Sequence, residues 1–565
     1  MISDDLSKSI DSPHVWVSSL TFSSGQKFEF SPNEKVLIVG ANNSGKSQSL
    51  RDIRDHLSSV NPKARLVATN ASFGFSCSRE DFAEYFLRNS IEFGSDHVVF
   101  NSTGLQAGAY NGWQAGGRLS GGLSAAFLSV LDAMSRLGGV GPVSHSEGEQ
   151  PHSHPLQFMY DSQAMLTEVN EIMKASFGKE LLFDYRSGGL IIAYLGSRPD
   201  EALFPNQASD EYVKIVRDNP RLDKQGDGIK SFAGTVLKAM SVPRSITLID
   251  EPEAFLHPPQ KKLLGELLGD KISGQIFVAT HSGDFVRGFL EGTQGAVRIL
   301  RVIRDGNLNS IHEASTASIS SLWKTPSLKY SNAIDAIFHD QAIICEDHSD
   351  CLLYNSASKH IQKNRVSHGD DISFIPSGGK DSVPKVAKTL REVGVPVKTI
   401  LDIDALSDWT FLSKLLIAFG ADPEQAKVHW SRVNSELKSK HKTKSEAEMY
   451  DDLLSYVVSV SSVEFRANRA ASLVKSRSAW AALKEHGASG LPKGDVRRYF
   501  ESLIEYLQEY GIFIVPVGEI EGFCPEVGGH GPKFVTSVLN DYSFDDEKLK
   551  GLIDFVDLVV KADTQ

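Results

Sequence analysis

Short apolar runs that stop at a glycine or an acidic residue recur in the first half of the chain. The run VLIV ends at Gly40 and is followed, after a short loop, by the helix-like segment KSQSLRDIRDHLSS. The runs ITLI, before Asp250, and QIFVAT, before His281, have the same form. A buried strand, a polar turn and an amphipathic segment are typical of strand–helix units. Their repetition predicts an α/β domain with a parallel sheet.

The same alternation restarts near residue 340. The run AIIC ends before Glu346, ISFIP leads into the tripeptide GGK, and VKTIL ends before Asp402 and Asp404. Each of these strands is followed by a helix-like segment, so a second parallel sheet is predicted. Because the carboxyl ends of parallel strands meet along one edge of a sheet, Glu346, Asp402 and Asp404 should converge.

Length and helical patterning set the predicted domain organisation. At 565 residues the chain is too long for one hydrophobic core. We predict one domain at residues 1–325, with an inserted helical segment at about 80–210. A second domain is predicted at 326–565, with a helical insertion at about 410–505. The first insertion is inferred from LSAAFLSVLDAMSRL and MLTEVNEIMKASF, whose apolar spacing favours helices.

The loop GANNSGKS fits the phosphate-binding pattern G-x-x-x-x-G-K-[ST]. Backbone N–H groups of such a loop form an anion nest, and Gly40, Asn43 and Gly45 belong to it. Lys46 is expected to reach the β- and γ-phosphates of ATP, and the Ser47 hydroxyl is expected to hold Mg²⁺. The strand before the loop and the helix after it support this interpretation.

Further candidate residues of a nucleotide site lie directly after the next predicted strands. Asp250 is expected to position Mg²⁺, and Glu251 to polarise the attacking water. His281 follows another strand and is a candidate partner of the γ-phosphate or of that water. Gly226 and Gly228 precede an amphipathic segment and form a second candidate phosphate-binding helix start.

Carboxylates crowd the second predicted domain. Three or more carboxylates in one crevice repel each other unless a divalent metal neutralises them, and oxygen ligands favour Mg²⁺ or Mn²⁺. Such a cluster can activate water and stabilise the leaving oxygen of a phosphodiester. Lys533 is a further catalytic candidate, as a group that stabilises charge on phosphate. The expected metal ligands are Glu346, Asp350, Asp402, Asp404, Glu519 and Glu521, the last two at the end of a predicted strand in GIFIVPVGEIEGF.

Composition limits the partners. With 71 acidic and 59 basic residues the net charge is −12, so DNA binding would need local basic patches or metal ions. Basic runs between residues 438 and 477 fit either a solvated helical face or a DNA-backbone contact. Four cysteines without a CxxC pair fit a reducing cytoplasm. No apolar stretch is long enough for a bilayer span, so no membrane partner is expected.

One histidine-containing loop is a weak metal candidate. His145, His152 and His154 lie in the polar, turn-rich segment GGVGPVSHSEGEQPHSHP. An H-x-H spacing without cysteine or acidic support favours an ordinary loop over a metal site.

The order of the first set of motifs resembles the ATP-binding-cassette (ABC) ATPases of the SMC, RecF and Rad50 type. The segment LIDEPEAFLHP, followed by ATHS, carries this resemblance. In that family a signature loop of one protomer caps the ATP held by the other. The resemblance therefore implies that Gly226, Gly228 and Lys230 act in trans in a homodimer. Their segment, QGDGIKSF, differs from the LSGGQ of transporters.

The second set, a glutamate, GGK and Asp-x-Asp, resembles the Toprim domain of topoisomerases, primases and certain nucleases. Asp347 stands where that family often has a glycine. An ABC-type ATPase domain followed by a Toprim domain resembles the OLD (overcoming lysogenisation defect) family of nucleases. That family includes the nuclease subunit of the Gabija antiphage system and retron-associated effectors.

The OLD resemblance implies ATP-regulated, metal-dependent cleavage or nicking of DNA, in antiphage defence. Implied cofactors are ATP and Mg²⁺ or Mn²⁺. The inserted helical segment is expected to help form a homodimer or higher homo-oligomer through the ATPase domain. Implied partners are DNA and a defence-system component, either a helicase-like protein or a retron reverse transcriptase with its DNA product.

Other functional classes remain as alternatives. A RecF/SMC-like DNA-repair ATPase would bind DNA without cutting it and would not need the second acidic cluster. A topoisomerase would need a nucleophilic tyrosine and a strand-passage domain, and a primase usually carries a zinc module. A purely structural scaffold would not need Lys46, Asp250 and Glu251.

Overall fold

A computed structural model describes most of the chain. It covers residues 12–58, 66–92, 95–114, 117–146, 152–200, 206–324, 332–363, 371–440, 446–460, 470, 480, 483–484, 487–491 and 494–562. The chain divides into two compact units, Met1–Lys324 and Thr325–Gln565. Of the basic residues between 438 and 477, those outside the described part are Lys442, Lys444, Arg466, Arg469, Lys475 and Arg477.

The first unit is built on a six-stranded sheet with the strand order β16-β15-β3-β14-β13-β8. The strands of this sheet are β3 (Lys35–Val39), β8 (Leu128–Leu131), β13 (Ile246–Asp250), β14 (Gln275–Ala279), β15 (Arg298–Asp305) and β16 (Leu308–Ala314). Neighbouring strands are parallel except for β16, which pairs antiparallel with β15. The central strands are almost entirely buried, as expected for a sheet covered on both faces.

Smaller antiparallel sheets surround this core. One has the order β2-β1-β4, one β5-β6-β7, one β10-β12 and one β11-β9. Their strands are β1 (Val15–Phe22), β2 (Lys27–Glu29), β4 (Ala68–Phe75), β5 (Ile91–Glu92), β6 (His97–Phe100), β7 (Thr103–Gln106), β9 (Val143–Ser144), β10 (Glu180–Phe183), β11 (Leu190–Ile191) and β12 (Ala193–Gly196). Phe100 of β6 belongs to the main core, where its ring packs edge-on against Phe82. Phe82 in turn stacks on Trp113 at a centroid distance of 4.0 Å.

The helices of the first unit connect and cover these strands. They are α1 (Lys46–Ser58), α2 (Arg79–Asn89), α3 (Ala133–Gly138), α4 (Pro155–Asp161), α5 (Gln163–Phe177), α6 (Asp210–Arg217), α7 (Asp227–Ser241), α8 (Pro258–Lys271), α9 (Gly283–Gly292) and α10 (Thr316–Trp323). The helix predicted for MLTEVNEIMKASF is present as α5.

The description of residues 80–210 as a helical insertion is wrong in part. The predicted helix LSAAFLSVLDAMSRL is instead a 3-10 turn at Leu123–Ala126, strand β8 and the short helix α3. Strand β8 pairs in parallel with β13, so this segment supplies an edge strand of the main sheet. The parallel partner, which is remote in sequence, overrides the local helical spacing.

The second unit contains a four-stranded parallel sheet with the order β18-β17-β19-β20. Its strands are β17 (Gln341–Cys345), β18 (Ile372–Pro376), β19 (Val397–Leu401) and β20 (Ile512–Ile514). The helices are α11 (His348–Lys363), α12 (Val383–Glu392), α13 (Trp409–Ala418), α14 (Pro423–Lys440), α15 (Glu446–Ser459), α16 (Asp495–Glu509), α17 (Pro532–Asp541) and α18 (Lys550–Lys561).

One strand prediction in this unit needs correction. The segment GIFIVPVGEIEGF was predicted as a strand up to Glu519 and Glu521, but β20 ends at Ile514. Gly518 has a φ of +101°, and a 3-10 turn at Ile520–Phe523 follows. A residue with this φ turns the chain out of the extended conformation, so both glutamates lie beyond the strand.

No helix in the described ranges has both the length and the apolar character required to cross a membrane.

Candidate functional site

The loop between β3 and α1 has the backbone shape of an anion nest. Gly40, Asn43 and Gly45 have φ values of +146°, +64° and +107°. A Cβ atom at Gly40 would lie 2.5 Å from the Val302 carbonyl oxygen, so this position requires glycine. The loop leads into the first turn of α1, where backbone N–H groups and the helix dipole favour phosphate.

Two side chains at the end of the loop, those of Lys46 and Ser47, form hydrogen bonds with loop carbonyls and with the end of β13. Lys46 is buried, and its ammonium group donates to the carbonyl oxygens of Gly40 (2.9 Å) and Ala41 (2.8 Å). The Ser47 hydroxyl donates to Asp250 Oδ1 at 2.7 Å. Burial lowers the pKa of Lys46 and raises the pKa of Asp250. The hydroxyl and carboxylate expected to hold Mg²⁺ are therefore adjacent.

Glu251 and His281 lie at the carboxyl ends of adjacent strands, β13 and β14. His281 Nδ1 is 3.5 Å from Glu251 Oε1 and 3.4 Å from Glu253 Oε1, and both Glu251 and His281 are partly exposed. Glu253 is buried and accepts hydrogen bonds from Thr280 Oγ1 (2.7 Å) and from the His281 backbone N–H (2.9 Å). The exposed acid is thus free to face solvent, whereas the buried one fixes the loop that carries His281.

Arg136 is a residue of this site that the sequence analysis did not identify. Its side chain is fully buried and donates to the backbone carbonyls of Leu131, Asp250 and Glu251. Glu251 has a positive φ of +45°, which is uncommon for a residue with a side chain. Arg136 therefore holds the backbone that presents Asp250 and Glu251. No sequence motif indicates this role, because Arg136 lies in the segment that was predicted as a helical insertion.

Gly226 and Gly228 lie at the start of α7, with Gly226 as its N-cap residue. A Cβ atom at Gly228 would lie 2.6 Å from the Phe255 carbonyl oxygen, so α7 begins in close contact with the loop that follows Glu253. Lys230 pairs with Asp227 at 2.8 Å in the first turn of the same helix. Neither glycine lines the cavity at the β3–α1 loop.

The residues around the β3–α1 loop fit a nucleotide. They line a cavity of about 660 Å³ that includes Arg51, Glu251, Arg304 and Asn307. Asn309 Nδ2 donates to the Ser44 carbonyl oxygen at 2.6 Å and so ties the β15–β16 hairpin to the loop. The Ser44 hydroxyl is buried and has no hydrogen-bond partner within the described part of the chain. A phosphate oxygen would supply such a partner.

In the second unit, Glu346, Asp402 and Asp404 converge at the carboxyl ends of β17 and β19. One carboxylate oxygen of each lies within 4.8 Å of the others, and all three side chains are partly buried. The Asp402 backbone N–H donates to Glu346 Oε1 at 3.2 Å. The parallel pairing of β17 with β19 brings these acids together.

Two lysines face these acids. Lys380 Nζ is 3.4 Å from Asp404 Oδ2, and Lys484 Nζ is 3.1 Å from Asp402 Oδ2 and 3.7 Å from Glu519 Oε2. Lys380 belongs to the GGK turn that follows a predicted strand, whereas no sequence motif indicates Lys484. Lys484 comes from the helical insertion, so only tertiary contacts reveal it.

Burial and mutual repulsion raise the pKa values of these carboxyl groups. Burial, and then the charges of Asp402 and Asp404, raise the pKa of Glu346 to about 7. Burial raises the pKa of Asp402 to about 6, although Lys484 opposes the shift. Burial, and then the charge of Asp347, raise the pKa of Asp350 to about 8. Burial thus favours the protonated form of these groups in the metal-free protein, and a bound cation would favour the carboxylates.

The donor set fits a divalent cation. Asp404 Oδ1 is buried and has no hydrogen-bond partner among the residues that the structure describes. A buried carboxylate oxygen without a hydrogen-bond partner lowers the stability of the fold. Such an oxygen is a suitable ligand for a hard cation. Glu346, Asp402 and Asp404 can together offer three oxygens to Mg²⁺ or Mn²⁺.

The remaining predicted ligands are placed differently. Asp350 lies in the first turn of α11, and its carboxylate accepts from the Asp347 backbone N–H at 3.4 Å. Glu519 and Glu521 form a second group with His530, which the sequence analysis did not identify. Glu521 Oε1 accepts from the Gly531 N–H and lies 2.6 Å from His530 Nδ1. Lys533 is exposed in the first turn of α17.

Two family models match the chain. Residues 83–286 match AAA_21, described as an AAA domain and associated in that description with the AbiEii toxin of a type IV TA system. Residues 337–404 match the Toprim domain of overcoming lysogenization defect protein-like sequences. The second match runs through Glu346 to Asp404. No curated protein matches the chain.

Solved structures with similarity to the first unit include SMC heads. An Smc head bound to the C-winged helix domain of ScpA is 18% identical, with 53% of this chain and 98% of that chain covered and a TM-score of 0.33. A second, bound to the C-terminal domain of ScpA and derived from Pyrococcus furiosus, is 16% identical (55% and 99% covered, TM-score 0.34). The SMC head from Thermotoga maritima is 13% identical (54% and 98% covered, TM-score 0.28). Similarities this weak carry no functional inference.

The AAA_21 match includes Asp250, Glu251 and His281 but not the loop at Gly40–Ser47, and the Toprim match includes the three converging acids of the second unit. The chain therefore combines a segment similar to an AAA-type ATPase domain with a segment similar to the Toprim domain of OLD-like proteins.

Proposed function

We propose that this protein is an ATP-regulated, divalent-metal-dependent DNA endonuclease that cleaves or nicks its substrate. The observation that carries the proposal is the convergence of Glu346, Asp402 and Asp404 in the Toprim domain, together with the unpartnered Asp404 Oδ1. A cluster of this kind suits phosphodiester hydrolysis, because both the attacking and the leaving oxygen need charge stabilisation.

The ATPase unit supplies the regulatory chemistry in this proposal. Lys46 neutralises phosphate charge, and Ser47 with Asp250 holds Mg²⁺. Glu251 orients and polarises the water that attacks the γ-phosphate, and His281 donates a hydrogen bond toward the same region. Gly226, Gly228 and Lys230 are proposed to contact the nucleotide of a second protomer, because they lie outside the cavity at their own P-loop.

In the Toprim unit, Glu346, Asp402 and Asp404 are the proposed metal ligands. A bound divalent cation supplies an acidified water and neutralises charge on the phosphodiester. Lys380 and Lys484 hold the carboxylates in position and add positive charge for the DNA backbone. Asp350, Glu519 and Glu521 are proposed to assist as further ligands, and Lys533 to contact the phosphate.

The proposal further includes a homodimer or higher homo-oligomer formed through the ATPase unit. It also includes a role in antiphage defence together with a further partner. These elements rest on the OLD resemblance.

The test is a cleavage assay on supercoiled plasmid DNA with Mg²⁺ or Mn²⁺, with and without ATP. We expect Asp402→Ala to lose cleavage while ATP binding, measured by fluorescence of a labelled nucleotide, is unchanged. Asp541→Ala removes an exposed aspartate of the same unit and is the matched control. Cleavage that survives Asp402→Ala would refute the assignment of the metal cluster.

The alternative is a RecF/SMC-like DNA-repair ATPase that binds DNA without cutting it. It shares the ATPase geometry but gives no role to the three converging carboxylates. Binding of plasmid DNA without nicking, under every metal and nucleotide condition, would favour it.

A further inference from the structure

A second cavity of the ATPase unit lies away from the P-loop. Its volume is about 390 Å³, and it is lined by the edge strand β8, the β6–β7 turn, the start of α4 and the C-terminal end of α7. It shares no lining residue with the nucleotide cavity. Nothing in the proposed nuclease chemistry uses it.

The charge of this cavity is unusual for so acidic a protein. Although the chain carries 71 acidic residues, none of those that the structure describes lines the cavity. The basic lining residues are Lys238, Arg244, His152 and His154, and five hydroxyl groups from serine and threonine accompany them. Cations and hydroxyl donors without carboxylates are the composition expected of an oxyanion site.

Arg244 is charged but binds only neutral oxygens. Its guanidinium donates to the carbonyl oxygens of Asn101 (2.6 Å) and Ala126 (3.1 Å) and to Thr103 Oγ1 (3.1 Å). Within the described ranges no carboxylate lies in ion-pair contact with it. These bonds fix the β6–β7 turn, where Asn101 and Ser102 both have positive φ, and so place Ser102 and Thr103 at the cavity.

Lys238 is the cation that is available to a ligand. It is partly buried near the end of α7, and no hydrogen bond or ion pair engages its ammonium group in the part of the chain that the structure describes. The charge of Asp132 acts on it, but that carboxylate caps α3 by accepting from the Ser135 N–H. Burial lowers the pKa of Lys238, so an anionic partner would stabilise its charged form.

The two histidines have structural partners. His154 Nδ1 accepts from the Leu156 N–H and caps α4. His152 pairs with Asp161 at 3.0 Å and lies 3.0 Å from Ser146 Oγ. The described end of this polar segment, residues 152–155, forms one wall of the cavity.

We propose that this cavity is a binding site for a phosphate group, with Lys238 and Arg244 as its cations and the surrounding hydroxyls as hydrogen-bond donors. A tetrahedral dianion matches the two positive charges better than a singly charged carboxylate does. The Thr103 and Ser241 hydroxyls donate to backbone carbonyls. The hydroxyls of Ser102, Ser129 and Ser153 are therefore the proposed donors to the phosphate. The phosphate belongs either to a free nucleotide-sized compound or to the phosphorylated end of a DNA strand.

The test uses the full chain with Lys46→Ala, so that the P-loop contributes little phosphate binding. Thermal unfolding is measured with sodium phosphate and with sodium chloride of equal ionic strength. We expect phosphate to raise the melting temperature of Lys46→Ala, and Lys238→Met in the same background to remove that shift. Lys238→Arg should keep it, and Lys261→Met, which removes a partly buried lysine of α8, should leave it unchanged.

If Lys238→Met does not fold, Ser129→Asp is the alternative test variant. It places a carboxylate in the cavity from β8 and should also remove the phosphate-dependent shift in melting temperature. A phosphate shift that persists in either variant, or no shift in Lys46→Ala itself, would overturn the proposal.

Two further arms identify the source of the phosphate. Short DNA strands with a 5′-phosphate or a 5′-hydroxyl are compared by fluorescence anisotropy, alongside a nucleoside monophosphate in the unfolding assay. If the protein binds the 5′-phosphorylated strand more tightly and Lys238→Met abolishes this preference, the phosphate belongs to a DNA end. If the nucleoside monophosphate raises the melting temperature only when Lys238 is present, and the two DNA strands bind equally, the ligand is a free phosphate compound.

Discussion

The two sites of this protein use strand-end carboxylates in opposite ways. In the ATPase unit the acids have neutral partners: Asp250 accepts from a serine hydroxyl, and Glu253 from a threonine hydroxyl and a backbone N–H. In the Toprim unit Glu346, Asp402 and Asp404 lie against each other, with two lysines opposite them. The first site presents a buried lysine and a loop of N–H groups, whereas the second concentrates negative charge.

This difference indicates which charge each site receives. A P-loop with a buried Lys46 at its end is suited to an anion, and in the proposed mechanism the nearby carboxylates act through Mg²⁺ and water. The Toprim cluster is suited to a cation, because three carboxylates converge and the buried Asp404 Oδ1 has no hydrogen-bond partner among the described residues. The three predictions below test this contrast.

The largest expected effect separates the two glutamates of the ATPase site. We expect Glu251→Gln to slow ATP hydrolysis on the order of 100- to 1,000-fold with little change in ATP binding, because a general base is lost. Glu253→Gln should slow hydrolysis less but lower the free energy of unfolding by about 1–3 kcal/mol, since a buried hydrogen-bonded carboxylate is replaced.

Steady-state hydrolysis and denaturant unfolding measure these two outcomes. Glu266→Gln changes an exposed glutamate of α8 and should alter neither. If Glu253→Gln stopped hydrolysis while Glu251→Gln did not, the assignment of Glu251 as the base would be incorrect.

An intermediate effect is expected at Lys484. Lys484→Met removes a positive charge 3.1 Å from Asp402 Oδ2, so Mn²⁺ should bind about tenfold more tightly, and the metal-free protein should unfold at a lower temperature. Isothermal titration calorimetry with Mn²⁺ gives the affinity. Lys388→Met, an exposed lysine of α12, is the control. Weaker Mn²⁺ binding in Lys484→Met would show that the lysine supports the cation rather than competing with it.

The smallest expected effect is on the pH dependence of stability. Glu346, Asp350 and Asp402 have pKa values of about 7, 8 and 6 in the folded protein, above those of unfolded carboxyl groups. The folded protein therefore binds more protons than the unfolded chain does in this pH range. The contribution of these carboxyl groups to stability is lost as the pH rises from about 4 to about 8. Mg²⁺ or Mn²⁺ should raise the melting temperature by a few degrees more at pH 8 than at pH 5.5, because protons compete with the cation.

Thermal unfolding with EDTA and with MnCl₂ at both pH values checks this prediction. A protein with Glu346→Gln and Asp402→Asn should lose most of the metal-dependent difference. An equal effect of Mn²⁺ at both pH values would contradict the raised pKa values.

Local sequence was enough to predict the parts of both sites that lie next to a strand. The P-loop, the acids after β13 and the acids after β17 and β19 are each fixed by a few consecutive residues, because strand, turn and functional side chain share one short segment. The same reasoning failed at LSAAFLSVLDAMSRL, where a strand partner remote in sequence decided between helix and strand.

The sequence by itself thus determined two α/β domains, a loop for phosphate and a set of carboxylates that follow parallel strands. Only the tertiary structure decided which groups surround them. It buried Arg136 beneath Asp250 and Glu251, brought Lys484 to Asp402, and grouped Glu519 and Glu521 with His530. These outcomes depend on packing between segments that are distant in the chain, and neither periodicity nor motif spacing encodes such contacts.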